Sequence, residues 1–351
     1  MNQVQHGADT KAIKLKYNLD EITDYSSNVN IFTPSGVDEI LRTITSKDLN
    51  YYLDLHYIEL REKIGKRYGF EKENVVAGNG STEIMFLIMK LNYIKNIGII
   101  NPTFGEYERA ANLAGKNIVD LYYDDEFKID KSEVENIKDL DLLIICNPNN
   151  PSGNINELHE ILEICKKNNT ILMVDETFIE FVENGEEYSL INKVKTYENL
   201  IVIRAVTKFY SLTNIRLGYA FSSRNIIAEL WNIKEPWTIN IFAEKLADVI
   251  FDEEFSIKSR LYYAKEIARF SNKLSTLENI EVYPTKTNFI LIKLPEDKAA
   301  SKVKEELVKK YGILIRDCSN FKKLDGSYIR INIKDSVQND YFFECFKNII
   351  L

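Results

Sequence analysis

The 351-residue chain has little of what marks several common protein classes. Its four cysteines (Cys146, Cys165, Cys318 and Cys345) lie far apart, with no C-x-x-C pair and no metal-ligand spacing, which argues against a disulfide framework or a zinc site. Three histidines, His6, His56 and His159, are too scattered for a His-based metal centre. No apolar run approaches the roughly 18 residues that a membrane helix needs. The polar start, MNQVQHGADTK, carries no secretory leader. There is no basic excess either: 45 Lys and Arg stand against 53 Asp and Glu, for a formal charge of −8. A phosphate backbone attracts proteins with a basic face, so nucleic acid is disfavoured as a partner. These omissions point to a soluble chain of the reducing cytoplasm with no membrane partner and no metal.

What is present is an alternation of short apolar strands with helical stretches, the mark of a mainly parallel sheet in an α/β protein. The pattern predicts strands over residues 74–77, 96–100, 141–146, 170–174, 200–204 and 218–221, and helices over 82–93 and 156–167. TEIMFLIMK is apolar on nearly every side, so its helix belongs in the interior. Residues 1–45 read as polar and loop-like. A long helix over 239–275 leads to a strand–strand–helix–strand–strand–helix pattern, read as a smaller α+β lobe. The expected division is a large lobe over 46–238, with 1–45 and 239–351 forming the small lobe, an N-terminal arm and an interdomain helix.

Chemistry concentrates where predicted strands end. NPNNPSG (147–153), the aspartate of MVDETF (Asp175), Lys208 in AVTKFY and Arg216 in NIRLGY follow one another in that order. Ligands of open α/β sheets bind at the carboxyl edge of the strands. AGNGST (77–82) ends at a helix start, where free N–H groups favour an anion. Asp175 closes a strand buried on both faces, so its carboxylate needs a cationic partner to offset desolvation. A solvated lysine, with pKa near ~10.4, is a poor nucleophile at neutral pH, so Lys208 has to be buried to act as one.

The ordered set resembles the fold-type I pyridoxal-phosphate enzymes, specifically the class I/II aminotransferases, and within them the histidinol-phosphate aminotransferases and threonine-phosphate decarboxylases. The likeness runs from HGAD (6–9) to YIRINI (328–333). It implies that Lys208 holds the cofactor aldehyde and moves protons at the substrate carbon, while Asp175 pairs with the protonated pyridine nitrogen. It implies Asn150 against the cofactor's phenolic oxygen, with Gly80, Ser81, Thr82, Thr207 and Arg216 around its phosphate. An aromatic from NPTFGEY, Tyr107 rather than Phe104, would cover the ring. Tyr52 would reach into the phosphate site of a neighbouring subunit, which makes the expected assembly a homodimer. Arg330 would clamp the substrate carboxylate, and His6, Asn30 and Arg316 would complete the substrate site. One position departs from the family: Ala205 stands where a phosphate-binding hydroxyl is usual.

The same resemblance bears on the reaction. Phe178 replaces the tyrosine that most class I/II aminotransferases place three residues after the aspartate. Together with HGAD, NVN (28–30), TKFY (207–210) and RDCSNF (316–321), it looks like the decarboxylases, which make aminopropanol phosphate for the cobalamin pathway. IFTPSG after NVN does not match the family's usual Pro-Leu-Gly-Pro run. Decarboxylation of L-threonine O-3-phosphate is the expected activity. A transaminase of the histidinol-phosphate type is the alternative, and a non-catalytic aminotransferase-like binding module a remote one.

Overall fold

A computed structural model describes residues 7, 9–136 and 139–351. The chain enters through α1 (Thr10–Tyr17), β1 (Thr23–Asp24) and α2 (Val37–Thr43). The expected loop over 1–45 thus contains two helices. Asp9 caps α1 by accepting from the Ala12 N–H, and Gly36, at φ 82°, starts α2. Next comes α3 (Ile58–Tyr68), which ends on left-handed Gly69, the backbone conformation that favours glycine at a helix C-terminus.

The central sheet then builds from β2 (Val75–Asn79), β3 (Asn96–Asn101), β4 (Asn117–Tyr122), β5 (Leu142–Cys146), β6 (Ile171–Asp175), β7 (Leu200–Ala205) and β8 (Leu217–Phe221). Their spatial order is β2-β8-β7-β6-β5-β3-β4. Only β8 runs antiparallel to its neighbours. Along β5 the side chains divide by parity. Leu142, Ile144 and Cys146 join the hydrophobic cluster on one face, and Leu143 and Ile145 join the cluster on the other. Burial on both faces is what makes such a strand an unbroken apolar run. The crossovers carry α4 (Gly80–Met89), α5 (Glu106–Leu113), α6 (Lys131–Asn136), α7 (His159–Lys167) and α8 (Gly185–Tyr188). Ile84, Met85, Leu87, Ile88 and Met89 of α4 are all buried, as its apolar sequence requires.

After α9 (Arg224–Ile233) the expected single helix over 239–275 is two, α10 (Ile241–Leu246) and α11 (Glu253–Leu274). Asp252 restarts the helix by accepting from the Glu254 N–H. The C-terminal part contains β9 (Glu281–Val282), β10 (Phe289–Lys293), α12 (Ala300–Tyr311), β11 (Ile313–Leu314), β12 (Arg316–Asp317), β13 (Tyr328–Asn332) and α13 (Ser336–Ile350). Four of its strands form an antiparallel sheet in the order β12-β13-β10-β9, while β11 pairs with β1. Tyr25 bridges the two sets, donating to Leu314 O and accepting from the Asn332 N–H. The N-terminal segment is thereby stitched into the C-terminal sheet beside the carboxyl edge of the central one. No helix among the described residues is long and apolar enough to cross a membrane.

Candidate active site

A cavity of about 690 Å³ opens at that edge, a volume suited to a small molecule and a cofactor together. Ser81, Thr82, Tyr107, Asn150, Asp175, Thr207, Lys208, Arg216, Arg316 and Arg330, each singled out in the sequence, all line it.

Lys208 lies three residues beyond the end of β7, on a turn held from outside the sheet. Its carbonyl accepts from the Asn30 N–H at 3.0 Å. Burial, then the charges of Arg330 and Arg216, lower the Lys208 pKa to about 8, against a smaller opposing effect of Asp24. Roughly a tenth of such an amine is uncharged at pH 7, far more than of a solvated lysine.

Asp175, the last residue of β6, is 4% exposed. One carboxylate oxygen accepts from the Thr177 N–H at 2.9 Å, the other from the Tyr107 hydroxyl at 2.7 Å. Burial raises its pKa, against the opposing effects of Thr177 and Tyr107. No cationic side chain among the described residues pairs with it. A buried carboxylate facing a cavity without a counter-ion fits a ligand that brings a positive charge, as a protonated pyridine nitrogen does. The Thr177 hydroxyl, also on the wall, is buried without a hydrogen-bond partner.

An anion cup lies at the start of α4. Gly80 has φ +73°, and a Cβ there would come within 2.2 Å of an Arg216 guanidinium nitrogen. Glycine is therefore required twice at this point, for the backbone and for the approach of the arginine. The Gly80 N–H also donates to Arg216 O at 2.9 Å, tying β8 to the helix start. Ser81, Thr82 and Thr207 bring hydroxyls to the same wall. Helix N–H groups, hydroxyls and a guanidinium form a phosphate-binding set.

The cations opposite come from the small sheet. Arg316 and Arg330 are register partners on β12 and β13 and are both buried. Arg330 donates to Asn150 Oδ1 and, at 2.8 Å, to the Ser26 carbonyl, with its guanidinium 5.3 Å from the centre of the Phe289 ring. Its Nε has no partner, and burial lowers its pKa to about 10. Arg316 donates to Asn320, itself on the cavity wall. Phe178 lies in the wall where a tyrosine would offer a hydroxyl, and its ring packs 5.0 Å from that of Phe289.

Three residues stand apart. Asn30 does not line the cavity. Its amide donates to Phe209 O at 2.7 Å and Ser259 Oγ at 3.1 Å, and its Oδ1 accepts from the Phe32 N–H. That side chain braces the lysine turn. Tyr52 is 80% exposed and packs against Trp237 with the rings tilted and their centroids 4.6 Å apart, away from the cavity of its own chain. His6 lies outside the described residues. In place of Asn30 the structure offers Asn28, which is buried on the cavity wall with an unpartnered Oδ1. It belongs to the same NVN motif as Asn30, whose side chain makes three hydrogen bonds where Asn28 Oδ1 makes none.

Taken together, this fold and this cavity define a pyridoxal-phosphate-dependent enzyme of fold type I. The chain belongs to the aminotransferase class I and II family, whose model matches residues 20–346, and its cofactor is pyridoxal 5′-phosphate. It is 38% identical, over 92% of its length and 89% of the relative's, to a protein of Caldanaerobacter subterraneus subsp. tengcongensis named "Putative threonine-phosphate decarboxylase". It is 32% identical to the histidinol-phosphate aminotransferase of Thermoanaerobacter sp., over 90% and 89% of the two chains. The crystal structure of the histidinol-phosphate aminotransferase from Clostridium acetobutylicum matches with a TM-score of 0.85 and 33% identity, covering 93% of this chain and 98% of that one.

Proposed function

We propose that the enzyme removes the carboxyl group of an amino acid that carries a second anion, and that the substrate is L-threonine O-3-phosphate, giving aminopropanol phosphate for cobalamin synthesis. The observation that carries this reading is the pair Arg316 and Arg330, two buried cations side by side on one cavity wall. Two guanidiniums buried side by side repel each other, and a dianionic substrate offsets that cost. The relative at 38% identity is in keeping with this reading.

Bound pyridoxal phosphate supplies an electron sink for cleavage at the substrate's α-carbon. Asp175 would meet the pyridine nitrogen, Tyr107 would cover the ring, and Gly80, Ser81, Thr82, Thr207 and Arg216 would hold the phosphate. Asn150, its oxygen occupied by Arg330, would have its amide N–H₂ left for the phenolic oxygen. Arg330 would fork the substrate carboxylate and so fix the orientation of the α-carbon. Arg316 and Asn320 take the distal phosphate, and Asn28 accepts from the substrate. Carbon dioxide leaves, and the Lys208 amine delivers a proton to the α-carbon in its place. The enzyme acts in this reading as a cytoplasmic homodimer, with residues 46–238 as the cofactor lobe, residues 1–45 and 239–351 as the substrate lobe, and Tyr52 serving the neighbouring subunit's phosphate site.

Transamination of the histidinol-phosphate type is the second reading, favoured by the aminotransferases at 32% and 33% identity. One assay separates the two. Supplied with O-phosphothreonine alone, the enzyme is expected to release carbon dioxide. Product that forms only when 2-oxoglutarate is added makes it a transaminase.

A further inference from the structure

Tyr107 sits where the ring of the cofactor is to be covered, yet its hydroxyl points elsewhere. It is wholly buried and donates to Asp175 Oδ2 at 2.7 Å. The other carboxylate oxygen is fixed by a main-chain donor, Thr177 N–H at 2.9 Å. The Cys146 thiol completes the surroundings, directing its proton to Pro148 O at 3.3 Å rather than to the carboxylate. Neither side-chain neighbour carries a positive charge. The Phe104 ring stands edge-on to the Tyr107 ring, with centroids 5.6 Å apart.

We propose that the Tyr107 hydroxyl is a positioning group that keeps Asp175 ionised and aimed while its aromatic ring covers the cofactor. This rests on the reading that Asp175 pairs with the pyridine nitrogen. A carboxylate in a dry wall holds its charge only as far as hydrogen bonds reward the ionised form. Thr177 contributes its backbone N–H, and its side chain also favours the ionised form; Tyr107 contributes the phenol. Burial raises the carboxyl pKa, and Thr177 and Tyr107 oppose it; removing the phenol lets it climb further. An Asp175 that binds its own proton must release it before it can pair with a pyridinium. Cofactor affinity then falls on the acid side and is restored at alkaline pH, where Asp175 is ionised with or without the phenol.

The test is cofactor retention, independent of turnover. Holoenzyme of the wild type, Tyr107→Phe and Asp175→Asn is dialysed across a series of pH values, and bound pyridoxal phosphate is measured. Tyr107→Phe keeps the ring, and a single hydrogen bond to a charged group is worth roughly a tenfold change in affinity. Retention by this variant is expected to weaken about tenfold at acid pH and to converge on the wild type at alkaline pH. Incorporating 3-fluorotyrosine, a stronger donor, at position 107 is expected to shift the acid limb the opposite way. A Tyr107→Phe profile that superimposes on the wild type, or a loss equal at every pH, overturns the proposal. If Asp175→Asn retains cofactor as well as the wild type does, the pairing of Asp175 with the pyridine nitrogen fails, and the proposal with it. Asp175→Asn weak and Tyr107→Phe unchanged condemns the proposal alone.

Discussion

A lysine with a pKa of about 8 owes that value to burial first and to two neighbouring guanidiniums second. The rate at which cofactor-free protein captures pyridoxal phosphate should accordingly rise with pH through about 8 and then level off. Arg330→Gln removes one of the depressing charges, so the midpoint should move to higher pH; stopped-flow absorbance would show it, and an unmoved midpoint would count against the coupling. Arg330→Ala should raise the substrate KM about a hundredfold, the scale of a buried charge-assisted hydrogen-bond pair, while cofactor retention stays within a few-fold. Equal damage to both would remove the clamp role. Most of the cavity was readable residue by residue, because Lys208, Asp175 and Asn150 each follow a strand that the apolar pattern announces and Arg216 directly precedes one. Asn28 and Thr177 were not. Their significance is an unpartnered polar atom facing a void, a fact about three-dimensional bonding that a string of letters does not carry.

The turn that holds Lys208 depends on an element far from it in sequence. Asn30 ties the N-terminal segment to Phe209, to Ser259 on α11 and, through its own N–H, to Lys208. Asn30→Ala should lower stability by about 2–3 kcal/mol in urea titration, since it strands buried polar groups. A change confined to KM, with stability intact, would instead return Asn30 to the substrate. Elements were legible where both faces are buried. β5, β6 and β7 are near-continuous apolar runs, and their expected and observed bounds differ by a residue at each end at most. The edge strand β4, NIVDLY, escaped notice because only Leu121 is buried along it. α1 was hidden for a similar reason: it buries no residue, so it shows no apolar stripe. The break between α10 and α11 rests on one capping aspartate within an otherwise helical composition.

At the scale of the whole molecule, the exposed Tyr52–Trp237 pair lies outside the cavity of its own chain, in the same segment as exposed Leu49, Tyr51 and Leu55. If Tyr52 serves a neighbouring subunit, mixing Lys208→Ala with Tyr52→Ala subunits should restore activity that neither has alone. Random exchange between two-fold dimers gives one intact site in half of the assemblies, or roughly a quarter of wild-type activity. No recovery after verified exchange would place the tyrosine in its own chain's service. One more consequence follows from the bond between Arg330 and the Ser26 carbonyl, which joins the two ends of the chain. Every residue of the anion cup and the lysine–aspartate pair lies between 80 and 216, whereas the buried arginine pair of the small sheet comes after 315. As the polypeptide leaves the ribosome, the cradle for the vitamin emerges well before that pair, and folding proceeds as the amino-terminal parts appear. Translation itself therefore sets an order of assembly, in which a chain cut short before β12 would retain the lysine but lack both guanidiniums that the proposed reaction needs to choose its substrate.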